Sequence, residues 1–228
     1  MRVAVIGAGL VAKTFHVPAF LACPGVEISA VYDRRLEKAE ALAAPLGAKA
    51  FTDYGELLRS GAADAVTICT RTDMHCSMAV QAARAGKHIF LEKPMATSAA
   101  EAKEICEETE RAGVTFMLGM LNRFRTESLI LTERREAGLM GDIYHADARW
   151  IRRRGIPSNG WFVQKALSGG GAGIDIGVHA IDTAWYLMGS PEPVAVSAVT
   201  HSRLGDAGAR GLSSWGTEAP AGRPIDVE

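Results

Sequence analysis

The first dozen residues constrain this chain more than any other stretch. An apolar run, Val3-Ala4-Val5-Ile6, stops at Gly7-Ala8-Gly9-Leu10-Val11-Ala12, and helix-compatible sequence continues from Val11 to Leu21. A β-branched run that ends in closely spaced glycines and opens a helix is the strand–turn–helix on which dinucleotides sit. Gly7 permits the tight turn, Gly9 lets a pyrophosphate approach bare backbone, and Ala12 stands where a third glycine would let helix and strand pack closely. The helix start adds free N–H groups and a partial positive charge. A second apolar run, Val26 to Tyr32, ends in Asp33. That acid lies about 20 residues beyond the turn, the distance expected of a group that holds the adenosine ribose. Its carboxylate favours NAD by bonding the ribose 2′-hydroxyl, while Arg34 beside it leaves room for the 2′-phosphate of NADP.

Beyond Asp33 helices and strands alternate. Arg35 to Ala44 reads as an amphipathic helix, Lys49 to Phe51 as a strand, and Asp53 to Ser60 as a helical turn. Asp64 to Thr70 is a buried strand, Asp73 to Ala85 a helix, and Lys87 to Leu91 the next strand. Ser98 and Glu101 form a capping box for a helix to Arg111, and Thr115 to Gly119 follows as a strand. This rhythm predicts an α/β fold over residues 1–120, a doubly wound parallel sheet with helices on both faces.

From residue 121 to 228 the pattern changes to a second, α+β domain. A helix, Phe124 to Ala137, precedes Ile143 to Ile151, where Tyr144, Ala146, Ala148 and Trp150 share one face. That alternation marks an antiparallel strand with one buried side, and Val194 to Thr200 reads as another. An open, largely antiparallel sheet is expected, incomplete with two strands. The tail from Ser202 reads as loop.

Composition removes several classes. A formal charge of −1 argues against nucleic-acid or anionic-membrane partners, and the run Arg152-Arg153-Arg154 is read as a solvated loop or active-site rim. No apolar run approaches the ~20 residues of a transmembrane helix, and no secretory leader is evident. Cys23, Cys69, Cys76 and Cys106 lack paired short spacing and read as small buried residues of a reducing cytoplasm.

Chemistry points to two places. Lys93 follows a strand of the parallel sheet, at the carboxyl ends where such sheets place ligands, and Pro94 rigidifies its turn. Behind the glycine-rich stretch Gly169 to Gly173, the helix Ile174 to Met188 is apolar nearly all round, which implies burial. It nevertheless carries Asp175, His179 and Asp182 in one stripe. Asp and His four apart suggest a metal, but no third ligand is evident and none is expected. Beside a dinucleotide, these groups suit alcohol–ketone interconversion. His179 would take the hydroxyl proton, Lys93 would steady the developing alkoxide, and Asp175 would hold a hydroxyl or orient the imidazole.

Together, Gly7 to Ala12, Glu92-Lys93-Pro94, and Gly169 to Gly173 followed by Asp175-Ile176-Gly177-Val178-His179 and Asp182 resemble the Gfo/Idh/MocA family of glucose–fructose oxidoreductases and inositol dehydrogenases. The resemblance implies a Rossmann domain plus a substrate and oligomerisation domain, with Lys93, Asp175 and His179 catalytic. It adds Leu10, Val11, Thr70, Arg71, His75, Glu92 and Lys93 to the cofactor contacts, although the family often has proline at the position of Arg71. Asn122, Arg123 and Trp161 are assigned to the substrate pocket. The implied activity is hydride transfer between NAD or NADP and a ring carbon of a sugar or cyclitol, in a homo-oligomer of the full-length protein, and the cysteines set it in the cytoplasm. Two alternatives share the fold: NAD-dependent glycoside cleavage and a non-catalytic dinucleotide-binding regulator. Family members usually continue past residue 228, so a C-terminally truncated and less stable chain is expected.

Overall fold

The computed structural model describes residues 1–151 and 161–201. The chain divides into two compact units, Met1–Gly119 and Met120–Glu228.

The first unit is built on a six-stranded parallel sheet in the order β3-β2-β1-β4-β5-β6. Its strands are β1 (Arg2–Ile6), β2 (Glu27–Tyr32), β3 (Lys49–Phe51), β4 (Ala65–Ile68), β5 (His88–Leu91) and β6 (Phe116–Leu118). Side chains alternate across a strand, so β1 feeds two cores. Ala4 and Ile6 join Ile68, Leu91, Leu57 and Ile105 on one face, and Val5 joins Val31, Val17 and Leu42 on the other. Burial on both faces explains why these strands are continuous apolar runs instead of alternating ones.

The covering helices are α1 (Val17–Ala22), α2 (Leu36–Ala43), α3 (Tyr54–Arg59), α4 (His75–Arg84) and α5 (Ala99–Ala112). Local chemistry sets their starts. Asp53 caps α3 by accepting the Glu56 N–H at 2.6 Å, and Ser98 caps α5 by accepting the Glu101 N–H at 3.3 Å. The capping box expected at α5 is displaced by one residue. The Glu101 carboxylate reaches back to the backbone N–H and hydroxyl of Thr97, at 2.9 and 2.5 Å. The helix expected over Val11 to Leu21 is also modified, because Ala12–His16 forms a π turn ahead of α1.

The second unit contains α6 (Thr126–Glu136), α7 (Lys165–Ser168) and α8 (Val178–Leu187), with a 3-10 turn at Leu121–Phe124 and a π turn at Gly173–Gly177. Two expectations change here. Residues 143–151 and 194–200 are not strands, and Tyr144 and Val194 are 94% and 98% exposed. Alternation makes a segment competent for a sheet, but a strand exists only when a neighbouring strand pairs with its N–H and C=O groups along its length, and no such ladder is formed by these segments among the described residues. Nor is α8 buried all round, since Ile181 is 70% exposed. Apolar composition states a demand for cover. Among the described residues of this unit, α6 and the Leu121–Phe124 turn pack against α8 and leave Ile181 uncovered. The expectations for residues 152–160, including the arginine run, and for the tail 202–228 lie outside the described residues.

Candidate active site

The strand order reverses between β1 and β4, so their carboxyl ends open the crevice in which parallel sheets hold ligands. Gly7 closes β1 with φ +97°, and its N–H donates to the Tyr32 carbonyl at 2.7 Å. A Cβ here would come within 3.0 Å of the Cys69 carbonyl oxygen and 3.1 Å of Thr70 Cγ2, so only glycine lets the two strand ends approach. Gly9 is different: its Cβ position has nothing within 4 Å. Leu10 is exposed and Val11 half-buried beside this open backbone, whereas Ala12 is fully buried against the sheet.

Asp33 sits at the end of β2. Its Oδ2 accepts the Ala8 N–H at 3.1 Å and its Oδ1 the Arg35 N–H at 3.0 Å, which ties the acid to the glycine turn. Each carboxylate oxygen keeps a further lone pair for a hydroxyl. Arg34 is exposed. After β4, the hydroxyl of Thr70 is buried with no hydrogen-bond partner among the described residues. Arg71 is engaged within its own loop, where Nε and one terminal nitrogen grip the Asp73 carboxylate at 3.0 and 2.8 Å.

His75 does not line the crevice as expected. It is buried, with Nδ1 2.8 Å from the Pro94 carbonyl oxygen and Nε2 3.2 Å from that of Thr70. Burial pushes its pKa down, against the two carbonyls, which favour the charged ring. The imidazole thus clamps the loop after β4 to the loop after β5.

Lys93 lies two residues beyond β5. Its backbone N–H donates to Glu92 Oε2 at 3.0 Å, and the Glu92 N–H donates to the Ile68 carbonyl at 3.0 Å. The other oxygen of Glu92 meets a residue that sequence reasoning passed over. His16 Nε2 is 2.8 Å from Glu92 Oε1, and His16 Nδ1 is 2.8 Å from Thr67 Oγ1. Burial opposes ionisation of Glu92, but the hydrogen bond and charge of His16 with the amide and charge of Lys93 outweigh it, leaving the carboxyl below its ordinary pKa. A signal existed: Ala12, His16 and Phe20 recur every four residues on the buried face of the first helix, and a polar group there needs a partner.

In the second unit, Asp175 lies on the π turn and His179 on the first turn of α8, both half-buried. The His179 ring is 6.2 Å from that of Trp150. Asp182 turns to a structural task. Its carboxylate takes Arg123 Nε at 3.0 Å and a terminal nitrogen at 2.5 Å, and the guanidinium lies 4.9 Å from the Tyr186 ring centroid. Arg123, expected at the substrate, is therefore committed to α8. Asn122 is buried beside it in the 3-10 turn, and Trp161 stacks on Phe162 at 4.0 Å. No cluster of three or more metal-ligating side chains occurs among the described residues. Cys23 and Cys106 are exposed and only Cys76 is buried, a correction to the expectation that all four thiols are covered. A cysteine's tendency toward burial is an average over many sites and does not locate any one of them.

A family model for the oxidoreductase family with an NAD-binding Rossmann fold matches residues 1–120, and the family's C-terminal domain model matches residues 130–221. The chain belongs to the Gfo/Idh/MocA family. It is 36% identical over 206 residues to D-glucoside 3-dehydrogenase of Escherichia coli K12, covering 90% of this chain and 59% of that protein. It is 33% identical to the NAD(+)-dependent scyllo-inositol 2-dehydrogenase of Bacillus subtilis 168, covering 90% and 58%. Among solved structures it resembles an NAD-binding protein from Listeria innocua with TM-score 0.71 and 33% identity, covering 82% of this chain and 54% of that one. The chain thus spans less than two thirds of these relatives. The Gfo/Idh/MocA chain's own residues fit a dinucleotide. Gly9 leaves its backbone bare, with nothing within 4 Å of its Cβ position, and the buried Thr70 hydroxyl, with no hydrogen-bond partner among the described residues, offers a polar contact.

Proposed function

We propose that this Gfo/Idh/MocA protein oxidises a hydroxyl-bearing ring carbon of a sugar or cyclitol, and reduces the matching ketone in reverse. The observation that carries the reading is the backbone-anchored lysine at the carboxyl end of β5, next to the crevice strand β4. In oxidation the substrate C–H bond breaks with both electrons, the O–H bond loses a proton, and a C=O bond forms. The nicotinamide supplies the acceptor for the hydride. Lys93 supplies a positive charge for oxygen as negative charge grows on it. His179 takes the proton, and Asp175 holds a substrate hydroxyl or the imidazole in place. Asn122 and Trp161 are kept as substrate contacts.

Residues 1–120 form the cofactor domain in this reading and 121–228 the substrate and oligomerisation domain of a homo-oligomer. Asp33 favours NAD over NADP. Four free thiols accord with a reducing cytoplasm. No helix among the described residues is long and apolar enough to cross a membrane.

The test is NADH formation at 340 nm with NAD+ or NADP+ and a panel including methyl glucosides and scyllo-inositol. Lys93→Ala is expected to lower kcat at least a hundredfold. Undiminished kcat in that variant sinks the proposal, and sugar release without net NADH replaces it with glycoside cleavage.

A further inference from the structure

We propose that His16 is a positioning residue for Lys93, acting through Glu92. The inference rests on the reading of Lys93 above, and its geometry lies wholly within the first unit.

Three hydrogen bonds form a chain. Thr67 Oγ1, inside β4, meets His16 Nδ1; His16 Nε2 meets Glu92 Oε1; Glu92 Oε2 accepts the Lys93 N–H. An ionised carboxylate only accepts, so the proton of the middle bond belongs to His16 Nε2. The links come from three separated parts of the chain, the first helix, β4 and the end of β5. His16 is 6% exposed and held sideways by Phe90 at 5.4 Å, so its ring has little freedom to drift. Oriented from both sides, Glu92 fixes the peptide plane that enters Lys93. That plane sets the direction in which the Lys93 side chain leaves the backbone.

The imidazole also stands on the π turn Ala12–His16, whose other end follows the glycine turn. Such turns are uncommon within helices and concentrate at functional sites. The same turn that opens toward a pyrophosphate therefore ends on the residue that orients the lysine carboxylate. Removing His16 leaves one oxygen of the half-buried Glu92 carboxylate without its donor. The expected response is rotation of Glu92 toward the water it already partly meets and release of the Lys93 amide, since a partly buried charged acceptor is costly to leave unmatched.

Two substitutions separate this role from mere packing. Glutamine places an amide nitrogen near the position of His Nε2, and asparagine is too short to reach Glu92. In the 228-residue chain without cofactor, amide hydrogen exchange of Lys93 by NMR is expected to speed at least tenfold in His16→Asn and to stay near the wild-type rate in His16→Gln. With NAD+ and an active glucoside or cyclitol from the panel above, kcat in His16→Asn is expected to fall about 10- to 100-fold with KM within about twofold. His16→Gln is expected to recover most of it. Equal Lys93 protection in wild type and His16→Asn overturns the proposal.

Should His16→Asn not fold, the wild type still decides. Its His16 Nε2 is expected to show the nitrogen-15 shift of a proton-bearing nitrogen, and a bare Nε2 refutes the relay. A chain with no turnover whose Lys93 protection still follows the Asn/Gln pattern removes the dehydrogenase reading and keeps this one. Turnover lost in Lys93→Ala but untouched in His16→Asn, with protection unchanged, does the reverse.

Discussion

Alanine placed at Gly7 and at Gly9 is expected to separate folding from binding. At Gly7 a side chain must adopt φ +97° and bring its Cβ to 3.0 Å from a backbone carbonyl oxygen. Left-handed backbone costs a non-glycine residue about 1–2 kcal/mol. Overpacking of a tight site costs about 1–3 kcal/mol more, and the Cys69 carbonyl has little room to yield because the Cys69 N–H is bonded to the Ile6 carbonyl at 2.8 Å. Gly7→Ala is therefore expected to lose about 2–5 kcal/mol. Gly9→Ala meets no atom within 4 Å, so its stability should stay within about 1 kcal/mol of wild type. Its Cβ would instead occupy the space through which a pyrophosphate reaches the backbone, raising Kd for NAD at least about tenfold, or 1.4 kcal/mol. Urea unfolding followed by circular dichroism gives the first quantity, and calorimetric titration with NAD the second. The reasoning is refuted if Gly9→Ala unfolds as early as Gly7→Ala, or if it binds NAD as tightly as wild type.

Two further outcomes follow from the ion pairs. The folded Glu92 pKa lies below its unfolded value, so the native state binds fewer protons than the unfolded one across that interval. Its stabilisation is complete above about pH 4.5 and is lost as pH falls through the folded pKa. The stability difference between wild type and Glu92→Gln, measured by urea titration at several pH values, should be flat above pH 4.5 and shrink below it; a difference that grows on acidification contradicts the assignment. Asp182→Ala leaves the Arg123 guanidinium without its carboxylate. Water reaches that partly exposed arginine, so the loss should be about 1–3 kcal/mol, less than for a fully buried pair. A double-mutant cycle with Arg123→Ala giving coupling below about 0.5 kcal/mol would show that the pair is incidental.

Much of the first unit was legible because its signals are local. The apolar run before Gly7, the caps at Asp53 and Ser98, and the place of Lys93 after β5 depend on neighbours a few residues away, which sequence periodicity and turn chemistry report directly. Residues 143–151 carried an equally regular pattern and, like 194–200, did not become a strand. Alternation records which face a segment would bury, and the neighbour that would satisfy its backbone is not written into the segment.

What folding alone decided is partnership between distant groups. His16 and Glu92, His75 with the carbonyls of Thr70 and Pro94, and Arg123 with Asp182 each join residues that chain order keeps apart. A titratable side chain shows its chemistry in its name and its role in what lies within 3 Å of it. That second fact exists only once the sheet has brought the strand ends together, so the nucleotide turn could be read from composition and spacing, whereas the network that aims Lys93 required coordinates.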